Sequence, residues 1–301
     1  MAIVKQPLPF GLRSSTIPSR GFVETTEIEL PPPTPPVAPA ALAVIAPLWH
    51  TAVLVVVVVA FSIHGASRFS SAHAEINRLA TYSFTAAMEA LLLAWVLFGL
   101  RLKKIPLRSL LGARALSLHS VAEDLCFAAV FWIFSLMVLG TLSIAWSRTE
   151  FALAHRPATT HAAGEAGKAG QSLAYDPSKL ESLRALKQLA PANGREIAAW
   201  MLLCMLVGFT EEIVFRGYLQ RQFIGWARGS VGLGVLASAV VFGSAHAYEG
   251  ARGMVLITVF GVLFSLLALY RRSLRAGIFA HAWHDLIAGL VIALLSSKHV
   301  I

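Results

Sequence analysis

Seven apolar runs follow one another along the chain, near residues 42–63, 80–100, 121–146, 197–219, 231–248, 253–270 and 276–296. Each is near the ~20 residues of helix that cross a hydrocarbon core. The first is the clearest, with Val55 to Val59 in a row, and 253–270 is short. The pattern predicts an all-α fold, a polytopic transmembrane bundle of about seven to eight helices. The polar segments divide it. Residues 1–41 are proline-rich (Pro31-Pro32-Pro33, Pro35-Pro36) and are expected to be a disordered tail without a signal peptide. Residues 42–146 form N-terminal membrane helices, 147–195 an extramembrane connection, and 196–296 a second membrane region. Within the connection, Leu180, Leu183, Leu186 and Leu189 recur at helical spacing and predict an amphipathic helix over 178–189 that lies on the membrane or caps the bundle. No internal repeat is visible.

Composition supports a membrane protein. The 301 residues are 56% hydrophobic and 14% charged, with a mean hydropathy of +0.68. Soluble domains carry about 25% charged residues. The net charge of +9 does not indicate a nucleic-acid partner, because Lys and Arg sit in short loops rather than in one block. Arg101, Lys103, Lys104, Arg108 and Arg114 follow the second run, Arg221 and Arg228 the fourth, and Arg271, Arg272 and Arg275 the sixth. The loops between these hold only Arg68 and Arg78, or Arg252. The bias predicts a multi-pass integral membrane protein with a cytoplasmic N-terminus and the three basic loops on the same side, in the plasma or inner membrane if the host is bacterial. Cys126 and Cys204 lie in apolar runs and provide no disulfide framework. The last four residues contain no cysteine, so no prenylation of this chain is expected.

Ionisable residues inside spans are costly and mark functional sites. The fourth run reads Gly208-Phe209-Thr210-Glu211-Glu212-Ile213-Val214-Phe215-Arg216-Gly217. On an α-helix Glu212 and Arg216 share a face and can pair. Glu211 points about 100° away and is left without that partner, as suits a base or a metal ligand. The fifth run ends Phe242-Gly243-Ser244-Ala245-His246, with small residues that admit a close neighbour. The seventh carries His281, His284 and Asp285, with His281 and Asp285 one turn apart. Glu89, inside the second run, is either a polar lock or part of a cavity. Glu123 and Asp124 fall at a span end and read as solvated charges. His50, His64 and the other scattered histidines read as incidental.

The motifs Glu211-Glu212-x-x-x-Arg216, Phe242-x-x-x-His246 and His281-x-x-x-Asp285, in that order on separate helices, resemble the signatures of the CAAX protease and bacteriocin-processing intramembrane proteases. This family is also described as abortive-infection-like and includes the type II CAAX prenyl endopeptidases. The resemblance covers about residues 195–296. It implies a helical bundle with a polar cavity inside the membrane, in which Glu211 and His246 activate water. It makes Glu212 and Arg216 a supporting pair, and His281 an oxyanion stabiliser or metal ligand. By the same resemblance, the position of Asp285 is Asn in the prenyl endopeptidases and Asn or Asp across the wider family. A carboxylate donates no hydrogen bond unless protonated, so Asp285 is better suited to orient His281 or assist a metal. A Zn²⁺ held by Glu211, His246 and His281 and a metal-free glutamate–histidine mechanism both fit the resemblance.

The expected function is thus hydrolysis of a peptide bond in a lipidated (CAAX-like) or membrane-associated substrate, with membrane lipid as the surroundings and no nucleic acid. The oligomeric state is not legible. A proton-coupled transporter and a non-catalytic scaffold or immunity protein are the alternatives. Straight helices would place His246 roughly 10 Å deeper than Glu211 and His281, at about 1.5 Å per residue.

Overall fold

A computed structural model describes residues 44–70, 76–112, 116–154 and 186–298, all of them within the unit Pro39–Ile301. The expected tail 1–41 lies outside the described residues. So does the amphipathic helix 178–189, except for its last turn, 186–189, which is helical.

The described residues form helices and no strand: α1 (Leu48–Ser70), α2 (Arg78–Leu102), α3 (Arg108–Leu111), α4 (Leu118–Ala154), α5 (Gly194–Glu211), a π-helical segment (Glu212–Leu219), α6 (Gln220–Trp226), α7 (Val231–Ser244), a 3₁₀ turn (Ala247–Glu249), α8 (Gly250–Arg271) and α9 (Arg275–Ser297). The segment α5–π–α6 is one continuous rod. Six helical stretches among the described residues are long and apolar enough to cross a membrane. Apolar side chains on the outside of α4, among them Val130, Ile133, Phe134 and Met137, remain exposed, as lipid contact requires. The chain is therefore a multi-pass membrane protein. The fifth apolar run departs from expectation. It forms a helix of only 14 residues, because the chain turns at Ser244 and His246 lies beyond the helix end.

Local chemistry sets the helix ends. Asn193 Oδ1 accepts from the backbone N–H groups of Arg195 and Glu196 at 3.1 and 3.0 Å, and Glu196 reaches back to Ala192 N at 2.7 Å. This reciprocal cap starts the rod. Asn77 caps α2 in the same way through Ala80 N.

At one end of the bundle α1 and α2 are tied together. His50, fully buried, donates from Nε2 to the Trp95 carbonyl (2.9 Å). Its Nδ1 therefore accepts from Tyr218 Oη (2.7 Å), which in turn accepts from Thr51 Oγ1 (2.8 Å). The imidazole stacks on Trp95 at 4.7 Å and fits because Gly99 has no side chain, as a Cβ there would lie 2.4 Å from the ring. His50 is thus a polar lock rather than an incidental histidine. Its signal was a histidine two residues into an apolar helix. Gln222 similarly binds the chain before α1, through Ile45 N, Ala46 N and Ala46 O.

The three basic loops meet at this end. Arg221 donates to Ser109 O (2.7 Å), Leu274 N to Leu111 O (3.1 Å), and Gly112 pairs with Ser273. Asp124 lies in the same region and is not solvated. It is fully buried, 2.7 Å from Arg271 Nη2. Arg275 Nε stands at the same distance from its other oxygen, close enough for an ion pair though its N–H is not aimed along the contact. Arg271 also stacks on Phe127. The sequence expectation failed here because both partners come from helices distant in the chain.

Candidate active site

A cavity of about 790 Å³ opens among α1, α2, α5, the π segment, the 3₁₀ turn and α9. Glu211, His246, His281 and Asp285 all line it. Glu89, Tyr248, Glu249 and His284 line it too. Glu212 and Arg216 sit behind its wall, fully buried and 3% exposed.

The π segment builds that wall. Its helix is wider than an α-helix, with a backbone bond from Gln220 N to Phe215 O, five residues back. Ser238 Oγ donates to the Phe215 carbonyl at 2.7 Å. All eight of its residues are buried. Single π turns cluster at functional sites, and nothing in the residue spacing distinguishes one from an α-helix beforehand. Within it Glu212 Oε1 accepts from Arg216 Nη1 at 2.8 Å. The guanidinium lies between two rings, 4.1 Å from Phe242 and 4.8 Å from Phe264.

The same Glu212 oxygen accepts from His281 Nδ1 at 3.1 Å. A carboxylate only accepts, so the proton is on Nδ1, and Nε2 is turned toward the cavity. There Nε2 stands 3.4 Å from Glu211 Oε2 and 3.8 Å from Asp285 Oδ2. The approach needs Gly277, since a Cβ at that position would lie 2.9 Å from Glu212 Oε2. Gly208 likewise lets α5 and α9 meet, a Cβ there falling 2.8 Å from Ala282 N.

His246 reaches the cavity from a helix end. Gly243 seats α7 directly on α8, where a Cβ would collide with Thr258 Oγ1 at 2.0 Å. Ser62 of α1 then clamps the terminus, donating to the Ser244 carbonyl and accepting from Ala247 N. His246 Nδ1 donates to Phe242 O at 2.9 Å, which leaves the Nε2 lone pair free. The Phe242 ring touches both histidines, at 5.0 Å from His246 and 5.9 Å from His281.

The structure brings His246 to the same cavity as Glu211 and His281. The rod continues to Trp226, seven residues beyond the expected end of its span, so Glu211 lies near its middle. Glu211 is fifteen residues before Trp226 and His246 fifteen after Val231. On α9, Leu274 packs on Gly217 of the π segment.

Three cavity groups were not assigned by sequence. Glu89, 7% exposed, interacts electrostatically with Glu211 and Asp285. A lone carboxylate in an apolar span was its signal. Tyr248 hydrogen-bonds Glu249, which interacts with His246. Both follow a helix end that the hydropathy pattern places inside a span. Among the described residues no three His, Cys, Asp or Glu side chains are grouped to hold a metal ion. His281 donates from Nδ1 to Glu212 and turns Nε2 toward Glu211, and His246 offers its Nε2.

Residues 193–287 match the family model described as Type II CAAX prenyl endopeptidase Rce1-like. Comparisons with curated proteins and with solved structures return no match.

Proposed function

We propose that this protein, whose residues 193–287 match the Rce1-like family model, hydrolyses a peptide bond of a lipidated or membrane-anchored substrate, with water activated by Glu211 and His246. One observation carries the reading. Glu211 and His246, the latter with a free Nε2 lone pair, line the same cavity.

Water bound between them loses a proton to one of the two as its oxygen attacks the scissile carbonyl carbon. The carbonyl π electrons move to the oxygen. The group that took the proton returns it to the leaving nitrogen as the C–N bond breaks, leaving a carboxylic acid and an amine. His281, held through Nδ1 by Glu212 and in turn by Arg216, places Nε2 beside Glu211; as the imidazolium it donates from Nε2 to the developing oxyanion. Asp285, as a carboxylate, holds the imidazole rather than donating to the oxyanion. The apolar wall supplied by α1 and α2 suits a lipid tail. The N-terminus and the three basic loops are cytoplasmic in this reading, by the Lys/Arg bias.

The test is cleavage of a panel of lipidated and membrane-anchored peptides by purified protein in detergent, with and without a chelator. Glu211→Ala and His246→Ala should each lower turnover by about 10²–10⁴-fold. Turnover that survives both substitutions would overturn the assignment, and loss on chelation would replace the metal-free route with a metal-dependent one.

A further inference from the structure

The described lining of the cavity is electrostatically one-sided. Glu89, Glu211, Glu249 and Asp285 come to it from four different elements, and no lysine or arginine among the described residues lines it. Arg216, behind the wall, is spent on Glu212. Water activation uses Glu211, and Asp285 faces His281. Glu89 has no such duty. It is 93% buried by its 7% exposure, lines the cavity, and its Oε2 has no hydrogen-bond partner. A buried carboxylate oxygen without a partner is costly unless the group neutralises or a ligand supplies a partner. Glu89 also interacts with Glu211 and Asp285, so it adjoins the reacting groups.

From this we infer that Glu89 forms a subsite for a cationic side chain of the substrate, a lysine or arginine near the scissile bond. The inference rests on the protease reading, which makes the occupant a peptide. The walls suit such a side chain. Thr85, Met88 and Leu92 lie on the same face of α2 as Glu89 and line the same cavity, so a methylene stem packs on them while its charged head meets the carboxylates. A free C-terminal carboxylate placed there would meet only acids. The subsite selects against a bond cut directly beside the substrate's C-terminus at this wall. The acids stand on separate elements and form no chelating group, which favours an organic cation over a metal ion.

Binding tests this without turnover. Myristoylated fluorescent peptides are prepared with lysine, norleucine or glutamate placed at each position in turn. Their affinity for the full chain carrying His246→Ala, in lipid nanodiscs, is read by fluorescence anisotropy. At one position lysine should bind about tenfold more tightly than norleucine, and glutamate more weakly than both. Glu89→Gln in that background should bring lysine and norleucine within about twofold, with an unchanged thermal midpoint. The peptide comparison needs no variant, so it stands even if Glu89→Gln misfolds. The inference falls if no position discriminates lysine from norleucine, if a folded Glu89→Gln protein keeps the preference, or if a chelator abolishes it. Cleavage by unsubstituted protein is scored separately. Lysine preference without cleavage overturns the protease reading alone, and cleavage without preference overturns the subsite alone.

Discussion

Two buried polar clusters lie in the same bundle and are built on opposite principles. At the end where the basic loops meet, Asp124 is matched by Arg271 and Arg275, with Glu123 3.5 Å from Arg271. In the cavity, Glu89, Glu211, Glu249 and Asp285 face histidines and one another. The first arrangement neutralises itself and ties α4 to the junction of α8 and α9. The second leaves Glu89 with a carboxylate oxygen that has no partner. A membrane protein tolerates buried charge in either form, but only the unmatched cluster can still do chemistry. Glu212 stands between the two types. It is matched by Arg216 on one side and hands the resulting order to His281 on the other.

Substitutions should separate the clusters by what they damage. The largest effect belongs to Glu211→Gln, expected to reduce peptide cleavage by about 10²–10⁴-fold while leaving the thermal midpoint in detergent unchanged. A parallel fall in the midpoint would make Glu211 a matched residue after all. Asp124→Ala should do the reverse. It strands two partly buried guanidinium groups and should cost about 2–3 kcal/mol of stability, seen as a lower midpoint, with turnover per folded molecule retained. Gly277→Ala sharpens the boundary between them, since its Cβ would crowd Glu212 Oε2. It should cost about 1–3 kcal/mol and also slow cleavage, because displaced Glu212 no longer holds His281. Glu123→Ala, at a partly exposed carboxylate, should change stability by less than about 1 kcal/mol in a melt. A larger loss would mean that the matched cluster depends on its exposed member.

The sequence made part of this legible. Charged residues in apolar runs identify Glu211, Glu212, Arg216, His281 and Asp285, because their cost in lipid makes them conspicuous, and the same logic raised Glu89 without resolving it. Apolar length set the membrane helices. What escaped depends on pairing across the fold or on helix geometry. Asp124 looked solvated because its arginines lie about 150 residues away. His50 looked idle because Tyr218 and Trp95 come from other helices. Glu249 was overlooked because hydropathy does not mark where α7 stops, and the stop is imposed by Ser62 from α1. The wide turns of the π segment leave no mark in the spacing of its residues.

The hairpin that carries Glu211 and His246 at equal distances from the 227–230 turn has a mechanical consequence. Both groups are counted from one turn, so a residue inserted in either arm would shift its own group alone, by about 1.5 Å along the axis and about 100° around it. Glu212, beside Glu211 on the same arm, holds His281, so the register of that one arm sets two of the three groups.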